Sequence, residues 1–394
     1  MNANGGVPLI LPTTSGYRFA QGLEHALRTK YIPARNDAPD RPNLWIPVKM
    51  TVFGDTDHIV EIQRHIRGED VYIISDPYSH AIAVPDFPPD EYEGHIYHLR
   101  SDGMLVKDKK DKRTLETVAR KLTVSEHFDI LSSTVEAARN AVKSGRLTAI
   151  IPCFPSAKQD RRGGRRSLDL KRRIETLEAL GINHVVTIDI HNPDTELAFQ
   201  PNTDFDHLYA AYTFIRHMQD NPQTYDPHNM HFLAPDSGAF ERNKTYATAL
   251  EASAGFLYKN RVQNQANTLA EPFGYGGDIE EVVDKDVIIV DDQIDTGTTL
   301  RSAVSWIKDK GARSVRAVAV HSVFSHPALK SLRAAYEQGN LAEVLVTDSV
   351  TLRQDQLEAN KDWLTKITII PYFAKVIDHL NQGLSISGLL NETG

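Results

Sequence analysis

The sequence predicts an α/β protein of two domains, each a mostly parallel sheet flanked by helices. Three observations carry that expectation. Short apolar runs alternate with helical stretches along the chain, and one strand–helix–strand unit is legible between Asp286 and Val320. At 394 residues, the chain is long enough for two packed domains of ordinary size.

The strand-like runs are Asp70–Ser75, Leu147–Pro152, His184–Ile190, Met230–Ala234, Asp286–Val290 and Val315–Val320. Each is apolar and too brief for a helix, as strands buried on both faces of a parallel sheet are. Val135–Val142 and Glu175–Leu180 belong to intervening helices, and Gly181 closes the second. Beyond Val290, the residues Leu300, Ala303, Val304 and Ile307 recur at i, i+3, i+4 and i+7, one buried helical stripe that Gly311 ends. Tyr78–Lys121 breaks the rhythm. Its "PDFPPDEYEGHIYHLRSDG" is Pro-rich and its "KDKKDKR" is dense in charge, the pattern of an insertion over the sheet edge, either a disordered loop or a lid. Gln219–His228, with two prolines, is the expected boundary, which gives domains at 1–218 and 219–394. No internal repeat of short period is present.

Composition excludes several classes. With 41% apolar and 24% charged residues the chain has ordinary soluble globular composition. A net charge of −8 argues against a general nucleic-acid binder. The single cysteine, Cys153, excludes an internal disulfide framework and a Cys-rich metal site, and fits a reducing cytosol. In "AIIPCF" it reads as the buried end of a strand. The start, "MNANGGVPLILPTTSG", has neither a basic n-region nor a long apolar run, so a cytoplasmic protein without a membrane span is expected.

The chemistry gathers just past the strands. In "VIIVDDQIDTGTTL" an apolar strand runs into Asp291, Asp292 and Asp295, then Thr296, Gly297, Thr298 and Thr299 open a helix. The carboxyl ends of parallel strands are where open α/β sheets bind ligands. Backbone N–H groups at a helix start attract phosphate, and hydroxyls add donors. Carboxylates beside them suit sugar hydroxyls or a divalent cation. Past Pro152 comes "CFPSAKQDRRGGRR", whose Lys158, Arg161, Arg162, Arg165 and Arg166 are followed by Lys171, Arg172 and Arg173. That many cations in an acidic protein point to a polyanion, most simply a nucleoside triphosphate or a phosphate effector. His191 follows the strand at His184–Ile190, and Asp236 follows the one at Met230–Ala234. No Gly-Lys dipeptide occurs, so a Walker loop is absent. "GYGGD" (Gly274–Asp278) precedes a strand and is expected as a turn, not a dinucleotide fingerprint.

Together these stretches resemble the ribose-phosphate diphosphokinases, the 5-phosphoribosyl-1-diphosphate synthetases. The resemblance is carried in order by "FGDTDHIVEIQRHIRGEDVYII", "IIPCFPSAKQDRR", "VVTIDIH", "APDSGAFER", "YKNR", "VIIVDDQIDTGTTL" and "KITIIPYFAKVIDHLNQGLSIS". It implies two phosphoribosyltransferase-type domains and transfer of the β,γ-diphosphate of ATP to an anomeric hydroxyl, with release of AMP. By position, Phe53, Asp55 and Asp57 would receive adenine across a subunit boundary in a homo-oligomer, dimer or hexamer. Lys158, Gln159, Asp160 and Arg161 would hold ATP, with His191 touching both nucleotide and magnesium and Asp236 a second magnesium ligand. Asp291, Asp292 and Asp295 would face the ribose hydroxyls, and Thr296, Gly297, Thr298 and Thr299 the 5-phosphate. Lys259 and Arg261, two apart on an extended segment, share a face and would close over the β-phosphate as the catalytic cations.

Three departures stand out. Lys158 replaces the family's usual arginine, "RRSLD" replaces a more typical Arg-x-Pro-Ile run near the phosphate effector site, and Thr298 stands where the loop normally carries glycine. Thr298 and the insertion open a second acceptor: ADP-ribose, which similar viral enzymes diphosphorylate for NAD rebuilding. Other readings are a phosphoribosyltransferase, which would not need "KQDRR" and "TIDIH", and a non-catalytic synthetase-associated regulator, which could dispense with Lys259 and Arg261.

Overall fold

The computed structural model describes residues 6–35, 43–52, 57–80, 97–99, 105–107, 122–161, 164–259 and 273–389. The chain forms two compact units. The first holds Met1–Leu208, Val350–Leu352 and Ile370–Leu390; the second holds Tyr209–Ser349 and Arg353–Ile369. The division therefore falls before the expected 218/219. Gln219–His228 lies within the second unit, where Tyr225 is buried and donates its hydroxyl to Glu343 at 2.6 Å.

The first unit runs β1 (Leu9–Pro12), α1 (Tyr17–Ala26), β2 (Val48–Val52), β3 (His58–Ile62), β4 (Asp70–Ile74), β5 (Tyr97–Leu99), β6 (Leu105–Lys107), α2 (Val124–Val142), β7 (Arg146–Ile150), α3 (Asp169–Ala179), β8 (His184–Ile188) and β9 (Asp204–Leu208). Five strands make an all-parallel sheet in the order β1-β4-β7-β8-β9. β4 and β8 are buried throughout, which is why they read as unbroken apolar runs. A Cβ on Gly16 would stand 2.1 Å from the Ile74 carbonyl oxygen, so only glycine lets the start of α1 pass so close to β4. α2 opens with a capping box in which Thr123 and Glu126 each accept the other's backbone N–H. It packs Phe128, Leu131, Val135 and Ala138 into the core, while Ile130 meets Met50 and Val60 of the β2–β3 hairpin. β5 and β6 form an antiparallel ribbon inside the Tyr78–Lys121 insertion. Most of that insertion lies outside the described residues.

The second unit runs α4 (Ala211–Asp220), β10 (Met230–Ala234), α5 (Phe240–Ala249), β11 (Ser253–Lys259), β12 (Phe273–Gly276), β13 (Asp286–Gln293), α6 (Thr298–Asp309), β14 (Ser314–His321), α7 (Ala328–Glu337), β15 (Glu343–Thr347), α8 (Gln354–Asn360) and β16 (Leu364–Ile367). Its seven-stranded sheet has the order β12-β11-β10-β13-β14-β15-β16, parallel but for β12. Here the expected turn at Gly274–Asp278 is corrected, since Gly274 and Gly276 belong to β12. They pair with Tyr258 and Phe256, whose rings lie 2.3 and 2.2 Å from where a Cβ would be. Aromatic rings laid over glycines across the ladder support a strand that composition alone reads as a turn. Gly181 (φ 87°) and Gly311 (φ 95°) close α3 and α6 in left-handed conformations, as expected.

The last helix, α9 (Ile370–Gln382), belongs to the first unit and not to the second. Phe373 meets Phe19 of α1 edge-on at 5.5 Å, Asp378 pairs with Arg35 at 2.7 Å, and Asn381 donates to Asp70 at 2.9 Å. Asp70 also accepts a two-point hydrogen bond from Arg146, at 2.8 and 2.9 Å. No helix among the described residues is long and apolar enough to cross a membrane.

Candidate active site

In the first unit, β4, β7 and β8 are parallel neighbours, so the loops leaving them share one sheet edge. The chain leaving β7 passes buried Cys153 and Phe154 and reaches Ser156, whose backbone is left-handed with φ 65°. That conformation costs a non-glycine residue roughly 1 kcal/mol. Three contacts hold it. The Ser156 carbonyl accepts from the Gln159 N–H at 2.8 Å, which closes a turn. Its N–H donates to the Tyr78 hydroxyl at 3.4 Å, and its Oγ accepts from Arg173 Nε at 3.0 Å. Lys158 and Gln159 are thereby exposed and Asp160 half-buried.

The β8 loop ties into the same turn. Asn192 Nδ2 donates to Asp160 at 2.9 Å, while Asn192 Oδ1 caps the Asp194 N–H at 3.1 Å. His191, one residue earlier, is exposed, and the Ile190 N–H donates to His207 Nε2 at 3.0 Å. Arg161 is exposed, its Nε 3.8 Å from the Asp160 carboxylate. Thus Lys158, Gln159, Asp160, Arg161 and His191 all lie on one edge of the first sheet. Asp57 is exposed at the tip of the β2–β3 hairpin, accepting from the His58 N–H at 2.8 Å. Phe53 and Asp55 lie outside the described residues.

The second unit builds its edge from β10, β11 and β13. Asp236 follows β10, is exposed, and caps the Ala239 N–H at 3.0 Å. Lys259 ends β11; its side chain and the whole of Arg261 lie outside the described residues. β13 continues past the expected end at Val290 to Gln293, so Asp291 and Asp292 sit in the strand itself. Strand alternation turns their side chains to opposite faces. Asp291 is half-buried and Asp292 only 2% exposed, while Asp295 is exposed in the loop. The repulsion that three neighbouring acids would suffer is relieved by this separation.

Gly297 then takes a left-handed conformation (φ 72°) and α6 begins at Thr298. The first helical hydrogen bond runs from the Arg301 N–H to the Gly297 carbonyl at 2.9 Å. By helix geometry the N–H groups of Thr298, Thr299 and Leu300 have no acceptor within α6, which makes its start an anion site. The hydroxyls of Thr296 and Thr298, 3.2 Å apart, border it.

Three supporting roles are not legible in the sequence. Asn192 and Arg173 act on the first loop from outside it, and Asn243 ties α5 to β13 by donating to the Val290 carbonyl at 3.3 Å. Only Asn192 leaves a local trace, as an Asn-Pro pair opening a 3₁₀ turn. A cavity of ≈ 440 Å³ in the first unit, lined by Arg146, His184, Phe199 and Asp206 among others, opens at the opposite end of the strands. Among the described residues no group of three or more His, Cys, Asp or Glu is arranged to hold a metal. His191 in the first unit and Asp236 in the second are each exposed donors of the kind that can hold a cation singly, with water and substrate phosphates completing its shell, as magnesium is usually held.

Known proteins resemble this chain in sequence and fold. A phosphoribosyl transferase domain model matches residues 209–337, starting where the second unit starts. The chain is similar to ribose-phosphate pyrophosphokinase 2 of Schizosaccharomyces pombe, 30% identical over 270 residues that cover 68% of this chain and 79% of the other. It is likewise similar to the ribose-phosphate pyrophosphokinase of Vibrio cholerae, 33% identical over 260 residues, 65% of this chain and 77% of that one. Among solved structures, phosphoribosylpyrophosphate synthetase from Mycobacterium smegmatis matches with a TM-score of 0.69 across 96% of this chain and 99% of that one, at 20% identity, a shared fold.

Proposed function

The chain belongs to the ribose-phosphate pyrophosphokinase family, and from that premise we propose that it transfers the β,γ-diphosphate of ATP to the anomeric hydroxyl of ribose 5-phosphate, releasing AMP. It is a transferase of that class, built from two phosphoribosyltransferase-type α/β domains. The observation that carries the proposal is the β13–α6 loop, where carboxylates, a left-handed glycine and unbonded helix N–H groups follow one another. No other arrangement among the described residues suits a phosphorylated sugar so directly.

In this reading Asp291 and Asp295 accept hydrogen bonds from the ribose hydroxyls, and Asp292 does so from the enclosed base of the loop. Thr296, Gly297, Thr298 and Thr299 hold the 5-phosphate. Lys158, Gln159, Asp160 and Arg161 hold ATP, with Lys158 acting as a point charge where an arginine would give a two-point fork. Adenine reaches Phe53, Asp55 and Asp57 of a second copy, which makes the working form a homo-oligomer. Lys259 and Arg261 oppose the negative charge that builds on the β-phosphate as the anomeric oxygen attacks in line. Magnesium, when bound, supplies neutralisation of the triphosphate charge, and His191 and Asp236 are the side chains that would hold it.

A second reading keeps the chemistry and enlarges the acceptor to ADP-ribose. Thr298 favours it: an exposed hydroxyl at the first position of α6, beside that of Thr296, adds a donor where a longer 5-linked diphosphate would lie. Retention of Lys259 and Arg261 in the sequence favours either enzyme over a non-catalytic regulator. The test is AMP release from ATP and magnesium with each acceptor in parallel. No AMP with any ribosyl acceptor removes the proposal, and faster turnover of ADP-ribose than of ribose 5-phosphate moves the acceptor to the second reading.

A further inference from the structure

Arg173 differs from the rest of the basic stretch in which it lies. Lys171 and Arg172 are exposed, whereas Arg173 is 5% exposed and faces inward from α3. Its guanidinium lies over the Phe128 ring at 4.6 Å. Nε donates to Ser156 Oγ at 3.0 Å and Nη2 to Ser125 Oγ at 3.1 Å. All of these partners are neutral. Among the described residues no carboxylate lies within ion-pair distance of it, and Asp169, one turn earlier, is engaged by Arg172 at 3.1 Å.

A buried cation whose direct partners among the described residues are neutral is an expensive way to fill space between α2 and α3, because the more distant Asp169 offsets the loss of water only in part. Leucine or methionine would pack there at lower cost. What arginine adds is a fixed donor aimed at Ser156 and a positive potential behind the Lys158–Arg161 turn. Ser156 holds a left-handed backbone, and its carbonyl closes that turn through Gln159.

We propose that Arg173 is a positioning residue for the nucleotide loop: it fixes Ser156, hence the presentation of Lys158–Arg161, and its buried charge is balanced when a polyphosphate binds there. This rests on the reading that the loop holds ATP. In the full-length protein, Arg173→Met is expected to raise KM for ATP at least about tenfold, while KM for the ribosyl acceptor stays within about twofold. Calorimetric binding of a non-hydrolysable ATP analogue with magnesium should weaken in parallel. Arg173→Lys keeps the charge without the fork and should fall between. Ser156→Ala should reproduce much of the loss, and combining it with Arg173→Met should add little. If Arg173→Met lowers the melting temperature yet the folded protein binds the analogue as wild type does, Arg173 is a packing residue and the proposal falls. Should that variant not fold, Ser156→Ala decides alone, and unchanged affinity there overturns the proposal. Failure of the unmodified protein to bind the analogue sinks the assignment of ATP to this loop instead, before any variant is made.

Discussion

The two sheet edges hold polar groups in opposite ways. In the second unit the key features are consecutive: β13 ends, Gly297 turns left-handed, and α6 starts with unbonded N–H groups. In the first unit the loop from Ser156 to Arg161 is held by Tyr78, Arg173 and Asn192, from three other parts of the chain. A site built from helix geometry needs little from its neighbours, whereas an assembled loop depends on each contact around it. The first should be sensitive to backbone changes at a single position. The second should be adjustable in small steps by side chains that never touch the substrate.

The largest effect is expected outside that contrast, at the two cations proposed to act on the transferred group. Lys259→Ala or Arg261→Ala should lower AMP-forming turnover by about 10³. Unchanged rates would place both on an ordinary surface.

Acid should weaken the second unit selectively. His231 is fully buried on β10, its Nδ1 2.7 Å from Ser253 Oγ and its Nε2 2.7 Å from the Tyr275 hydroxyl. Burial, helped by the Lys285 charge, pulls its pKa down to about 4. The unfolded chain, titrating near 6.5, therefore binds the proton first. The resulting stability is fully present above about pH 6.5 and is lost as pH falls toward 4. Between pH 7.5 and pH 5 the loss should be about 2 kcal/mol. Hydrogen exchange of the β10 amides should report it, and His231→Gln should flatten the pH dependence.

Gly297→Ala sharpens the contrast directly. A Cβ there meets nothing closer than 3.7 Å, so the cost comes from the left-handed backbone and not from crowding. Stability should fall by about 1 kcal/mol, and kcat/KM for the 5-phosphorylated acceptor by roughly 10- to 100-fold, with KM for ATP little changed. The smallest effect is expected at the assembled loop. Asn192→Ala removes one hydrogen bond to Asp160 and should raise KM for ATP about fivefold, an energy on the order of 1 kcal/mol. Equal effects of both substitutions on both substrates would dissolve the distinction between the two edges.

The same contrast explains what could be read in the sequence. Parallel strands buried on both faces announce themselves as apolar runs, and β4, β7, β8, β10, β13 and β14 lie where those runs fall. The β13–α6 loop was legible because its geometry is written in neighbouring residues. Extension of β13 through Asp291 and Asp292 was not, because acidic residues disfavour strands unless the ladder to β14 holds them, as Asp291 opposite Ala319 does. β12 does not show as a strand because its glycines depend on rings from β11. Arg173 counted only as one more cation, since nothing local distinguishes an inward arginine from its exposed neighbours.

The placement of α9 has a consequence for biosynthesis. The second unit has all its strands by Ile367, but the first still lacks the helix that covers Phe19, Arg35 and Asp70. A ribosome making this chain therefore delivers the earlier half unfinished and completes it last. Until α9 emerges, Phe19 of α1 lacks the Phe373 ring that covers it in the finished fold.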